Sequence, residues 1–411
     1  MGEGGDTRYR RLNINMSGIS ALLEEYVTPE PKLAELLRMT VNAGGSDLHI
    51  MTNSAPRMRL HGALRPIESF EPLTREKAKE LIYSILVDKK HIEAFENDQE
   101  LDVAVNVEGL SRFRVNVFGH HKGIGAAFRV IPYEIVPLEK LNVPKPIVDL
   151  TTVSQGLCLV TGPTGSGKST TLASLLDQIN RSRDENIITV EDPVEFVHNH
   201  KRCQVVQREV KTNTKNFASA VRNGFRQDPD VVLIGELRDL ETIEQALLMA
   251  ETGHLTFGTL HTNSAPSTIT RIVNVFPGNQ QPQIRTQLSN VLIGVLSQQL
   301  LPRADGSGRV MAAEAMIPTH AIRNLIREDK VQQIHSTMAN GQDETGMVTM
   351  NQSLAKLVTD GIVDLADAQH VSPDQKDLND KINYIRTKQR GTTQTTLRPV
   401  ASQRPLGERR V

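Results

Sequence analysis

Tryptophan is absent from the 411 residues, and aromatic residues make up only 4% of them. A chain that stacks single-stranded nucleic acid on aromatic platforms needs more rings than this. An excess of one charge is also missing. Forty-seven basic residues meet 48 acidic ones, for a net charge of −1, so the basic footprint of a nucleic-acid partner is not there. Cysteine occurs twice, at Cys158 and Cys203. Without a CxxC pair there is no cysteine-rich zinc site. Two cysteines make no disulfide scaffold, which fits a reducing compartment. No apolar run reaches the roughly 18 residues of a membrane span, and no apolar segment of signal-peptide length stands near the start. These absences predict a soluble, cytoplasmic protein whose membrane contact is only peripheral.

The length suggests two or three domains at about 150 residues each. Residues 1–28 begin polar and glycine-rich and read as a flexible arm. Residues 29–135 read as a small α+β domain. A helix is expected over 32–42, with Leu33, Leu36, Leu37 and Val41 at helical spacing. Hairpins are expected around His61-Gly62 and Glu108-Gly109. Residues 136–150, with Pro137, Pro144 and Pro146, read as an interdomain linker. From Gly156 short apolar runs alternate with helical segments, the mark of a buried, mostly parallel sheet. This second domain is placed at 151–370, with a helical pattern beyond Met316. Residues 371–411 lack a core pattern and read as a largely disordered tail. From Arg386 onward the tail carries seven basic residues and one acidic one.

Gly162, Pro163, Thr164, Gly165, Ser166, Gly167, Lys168 and Ser169 fit G-x-x-x-x-G-K-[ST] at every position. An apolar strand, Leu157 to Thr161, leads in. A helix leads out through Thr170. The glycines let backbone N–H groups turn onto phosphate oxygens, and the helix N-terminus adds its positive end. Lys168 reaches the β- and γ-phosphates, and the Ser169 hydroxyl suits a magnesium ion. The expected ligands are therefore ATP and Mg²⁺.

Three further segments carry chemistry. The apolar run Val231 to Ile234 ends in Gly235-Glu236, an acid at the tip of what is expected to be an adjacent strand, where it could hold Mg²⁺ with Ser169. Glu191, Asp192 and Glu195 crowd three carboxylates into five residues at another strand end. One of them can orient or deprotonate an attacking water. His254 and His261 bracket an apolar strand at a spacing of seven. That spacing puts them on opposite faces of an ideal strand, so a shared metal is not expected, and taken alone they read as structural histidines.

Taken in order, these four segments resemble the Walker A, Asp box, Walker B and His box of the type II/type IV pilus secretion ATPases. Within that superfamily the chain resembles the pilus retraction ATPases. Further matching residues are Gly44 to Ile50, Arg112 to Asn116, Gly235 to Asp239, Thr259 to Thr262 and Ala321 to Glu328. The resemblance covers about residues 32 to 370. It implies a PAS-like N-terminal domain, a RecA-like P-loop ATPase core and a helical C-terminal segment. It also implies a homo-hexameric motor at the cytoplasmic face of the inner membrane. The implied partners are an inner-membrane pilus platform protein and a paralogous retraction ATPase. Glu195 is implied as the general base and Glu236 as the Walker B acid. His254 and His261 are implied as links between nucleotide and movement. Arg112, Arg114 and Arg129 are implied as arginines that approach the phosphates. An extension or type II secretion ATPase, which usually carries a four-cysteine zinc site, and a catalytically weak accessory ring subunit are the alternatives.

Overall fold

The computed structural model describes residues 26–60, 62–131, 135–341 and 345–395, with the backbone alone from 389 onward. The expected arm over residues 1–25 and the last part of the tail, 396–411, lie outside the described residues. The chain divides into two units between residues 134 and 135, one residue from the expected end of the first domain.

In the first unit a seven-stranded sheet has the order β1-β5-β6-β7-β2-β3-β4. Its strands are Tyr26–Val27 (β1), Asp47–Met51 (β2), Arg57–Leu60 (β3), Ala63–Pro66 (β4), Glu100–Val107 (β5), Ser111–His120 (β6) and Gly123–Ile131 (β7). Only β1 pairs in parallel, with β5. The helix Pro31–Asn42 forms because Leu33, Leu36, Leu37 and Thr40 share one buried face. Its start is capped by the Glu30 carboxylate, which accepts from Lys32 N at 2.7 Å. This helix and the helix Arg75–Tyr83 pack on one face of the sheet, against Leu48, Ile50, Phe113, Val115 and Phe128. The other face takes the alternate residues, and among them are Arg112, Arg114 and Asn116 of β6. A helix at Lys89–Asp98 was not evident in the sequence, where Phe95 is its one fully buried residue.

The second unit carries its own seven-stranded sheet, in the order β10-β9-β11-β12-β8-β13-β14. The strands are Gly156–Thr161 (β8), Asn186–Glu191 (β9), Gln204–Glu209 (β10), Val231–Ile234 (β11), Leu255–Leu260 (β12), Leu292–Pro302 (β13) and Arg309–Met316 (β14). All pairs are parallel except β13 with β14. Every residue of β8, β11 and β12 is buried, because helices cover both faces of a parallel sheet. This is the expected α/β core. One detail differs: β12 lies between β8 and β11, so Glu236 tips the next strand but one from the glycine-rich loop rather than an adjacent one.

Two expected boundaries are corrected. Residues 136–150 are not a free linker but part of the second unit. Leu138, Ile147 and Leu150 are buried in its core, and Ser174 Oγ donates to Val136 O at 2.5 Å. The prolines there start short helices, as Pro146 does at the head of Lys145–Asp149. The expected disordered tail is also corrected over residues 375–395, which form a helix. Leu378 and Ile382 are buried against Leu354, Ala355 and Val358 of the helix Met350–Thr359. Three apolar anchors, Leu378, Ile382 and Ile385, hold an otherwise polar helix in place.

Candidate nucleotide-binding site

Strand β8 ends at Thr161, and the loop 162–167 turns the chain into the helix Lys168–Ser182. In parallel sheets of this kind, ligands sit beyond the carboxyl ends of the strands. Gly162 has φ +143°, and a Cβ there would stand 2.2 Å from Gln298 O and 2.7 Å from Ser166 Oγ. No larger residue fits that approach. From β13, Gln298 buttresses the loop by donating from Nε2 to Ser166 O at 2.7 Å. Gly167, with φ +87°, opens the helix, and no side chain caps the helix N-terminus. Its first N–H groups are thus left to a ligand. Ser166 Oγ is buried without a hydrogen-bond partner, an orphan that a phosphate oxygen would satisfy. Lys168 Nζ donates to Gly162 O at 2.8 Å and to Pro163 O at 3.1 Å. Burial lowers the Lys168 ammonium below its usual range, while the charges of Glu236 and Glu195 draw it back up. Both carboxylates therefore act on the lysine of the loop.

Glu236 follows β11. Its Oε2 lies 2.6 Å from Arg238 Nη2, and its Oε1 lies 3.5 Å from His261 Nε2. Burial pushes this carboxyl up, but Arg238 and His261 outweigh it and hold it below the usual carboxylate range. Thr259 of β12 ties the same turn by donating from Oγ1 to Gly235 O and accepting Leu237 N–H at its own carbonyl. Beside Ser169 a cavity of about 40 Å³ is bounded by Glu191, His198, Gly235 and Thr259, among others, with room for a water or two.

Glu195 sits in the loop after β9 and is exposed. Its neighbour Glu191 accepts from Thr189 Oγ1 at 2.6 Å, from Gln207 Nε2 at 3.2 Å and from Glu195 N at 3.4 Å. Burial pushes the Glu191 carboxyl up, and these three bonds oppose it. His198 is buried, and its burial pushes it down to about 4.

The two expected histidines part company. His261 lies at the site, but His254 stands at the other end of β12. There its carbonyl accepts from Gly156 N, at the start of β8. Its Nδ1 lies 3.0 Å from Met249 O and 3.2 Å from Thr252 Oγ1, and its ring meets Phe225 edge-on at 5.7 Å. Six residues of strand, about 20 Å, separate it from the loop end of the sheet. The structure thus places His254 as a strand-start anchor and not among the site residues.

Arg112, Arg114 and Arg129 belong to the first unit. Arg114 and Arg129 face each other across β6 and β7, an arrangement that costs energy unless an acid intervenes. Asp47 supplies it, accepting from Arg129 Nε at 3.0 Å.

Among the described residues no group of three or more His, Cys, Asp or Glu could hold a metal by itself. Mg²⁺ binds through one or two protein oxygens together with substrate phosphates. Ser169 beside the loop and the ionised Glu236 fit that role. Arg238, Gln298 and Gln207 carry no signal as single residues in the sequence. Their parts depend on which strands become neighbours.

A glycine-rich loop between a parallel strand and a helix, with the charges of two glutamates acting on its lysine, defines a P-loop ATPase of the RecA type. The Type II/IV secretion system protein family matches residues 25–398, and the chain belongs to that family. It is similar to the type IV pilus retractation ATPase PilT of Pseudomonas aeruginosa, at 47% identity over 337 residues, which cover 82% of this chain and 97% of that one. A twitching motility protein of Neisseria gonorrhoeae is 44% identical over 75% of this chain and 82% of its own. Among solved structures, the pilus retraction motor PilT with bound ADP superposes with a TM-score of 0.79 at 48% identity, covering 85% of this chain and 99% of that one. Among the described residues no helix is long and apolar enough to cross a membrane.

Proposed function

We propose that this chain is the ATP-hydrolysing motor that drives type IV pilus retraction. The observation that carries the reading is the complete loop site, in which Lys168 lies within the fields of Glu195 and Glu236, in a chain with PilT-like relatives over most of its length. Backbone groups of residues 162–170 and Lys168 hold the phosphates of ATP. Ser169 and Glu236 would hold Mg²⁺, which would offset phosphate charge when bound. Glu195 accepts a proton from the attacking water. One of Arg112, Arg114 and Arg129 supplies the guanidinium that neutralises charge on the transferred phosphoryl group. His261 and Arg238 orient Glu236 from opposite sides.

The working form in this reading is a homo-hexameric ring at the cytoplasmic face of the inner membrane. It pulls on a platform protein there, alone or beside a paralogous retraction ATPase. The helix His320–Arg327, which contains most of the Ala321–Glu328 match, serves retraction rather than hydrolysis.

The test is genetic. A host lacking this protein should keep its surface pili, accumulate them and lose twitching, with rescue by the wild type and not by Lys168→Ala. Loss of the pili themselves would instead indicate an extension motor, and unchanged twitching would contradict both.

A further inference from the structure

The proposed base, Glu195, stands in a loop without regular secondary structure, between β9 and β10. A general base has to be held to within a fraction of an ångström of its working position. Here the loop borrows its rigidity from β10, which lies beside β9 at the edge of the sheet with Gln207 level with Thr189.

Side chains of β10 and β9 meet the loop at successive points. The Glu209 carboxylate accepts from Val194 N at 3.1 Å. Glu191 Oε2 accepts from Glu195 N at 3.4 Å. Gln207 makes three bonds: its Nε2 donates to Phe196 O at 2.8 Å and to Glu191 Oε1 at 3.2 Å, and its Oε1 accepts from His198 N at 2.7 Å. Gln207 and Glu209 are two apart on the strand, so they leave the same face. A half-buried carboxylate such as Glu191 is costly to keep without hydrogen-bond partners. Here it links Gln207 to the backbone of Glu195.

We propose that Gln207 is a positioning residue for Glu195: it clamps the loop just after the base, at Phe196 and His198, and fixes the Glu191 carboxylate on which the Glu195 backbone rests. Gln207 touches neither nucleotide nor water in this scheme. The inference rests on the reading of Glu195 as the base.

The experiment is a double-mutant cycle on the full-length protein, with single-turnover hydrolysis of radiolabelled ATP as the readout and the Kd of a fluorescent ATP analogue as control. Gln207→Ala should lower the hydrolysis rate by about 10- to 100-fold, leave the Kd within about two-fold, and cause no further loss in a Glu195→Gln background. Gln207→Glu, which keeps the length and the acceptor for His198 N, guards against a folding defect. It faces Glu191 with a second carboxylate, so its activity relative to wild type should rise as the pH falls and the two share a proton. Wild-type hydrolysis in Gln207→Ala, an equal loss in both backgrounds, or a loss that appears only in the Kd would overturn the inference. Full hydrolysis in Glu195→Gln alone would overturn the base assignment instead, and the positioning role with it.

Discussion

His261 Nε2 stands 3.5 Å from Glu236 Oε1, across the boundary between β12 and β11. The contact exists because β12 is threaded between the loop strand β8 and β11. The residue that follows β12 therefore comes up beside the acid that follows β11. Arg238 occupies the other carboxylate oxygen at 2.6 Å, so Glu236 is held from both sides and stays ionised.

That geometry separates the two histidines. His261→Ala should lower ATP turnover by about ten-fold, the loss of one orienting contact on a charged group. His254→Ala should leave turnover within about two-fold and lower the unfolding free energy by about 1 kcal/mol, the worth of its contacts to Met249 and Thr252. Steady-state turnover and urea unfolding of both variants check this. Equal catalytic losses would contradict the placement.

The glycine-rich loop has little room. Gly162→Ala places a methyl group 2.2 Å from Gln298 O in a left-handed conformation. Nucleotide affinity should fall at least ten-fold, since the loop and its Lys168 contact to Gly162 O move together. Titration with a fluorescent ADP analogue measures it.

Acid should weaken the second unit through His198. Burial holds this imidazole at about 4 instead of its usual 6.5, with Asp177 opposing the shift and Lys201 adding to it. A histidine with a depressed folded value contributes no pH-dependence above about 6.5. Below it the unfolded chain takes up the proton first, so stability is lost as the pH falls toward 4. The loss is on the order of 3 kcal/mol at most. His198→Gln should flatten the pH dependence of denaturant unfolding over that window.

The helix Gln375–Thr395 is held by few anchors, so each matters. Leu378 is fully buried against the helix Met350–Thr359. Leu378→Ala should cost about 2 to 5 kcal/mol, read as a lower urea midpoint with turnover of the folded protein unchanged.

Much of this was legible in the residues. The glycine-rich loop, the helix Leu240–Glu251 and the strand Leu255–Leu260 follow from local pattern, because glycine, helical spacing and buried β-runs act over short range. The helix Gln375–Thr395 was missed because its apolar residues are outnumbered by polar ones, and their value depends on the surface offered by Leu354 and Val358. Pro137, Pro144 and Pro146 punctuate a linker and a helix start alike, and only the burial of Leu138 and Ile147 tells them apart. Gln207 is one polar residue on a strand until β10 pairs with β9, and His254 looks like a partner of His261 until the direction of β12 is fixed. In each case the missing information is which elements become neighbours.

In the proposed mechanism Lys168 and Glu195 work as one hydrolytic site. The most direct measurement is Mg²⁺-dependent ATP turnover of the purified protein beside Lys168→Ala and Glu195→Gln, with assembly followed by light scattering. Turnover is expected in the wild type, with its loss, on the order of 100-fold or more, in both variants at unchanged assembly. A fully assembled wild type without turnover, or variants that turn over ATP at the wild-type rate, would contradict it.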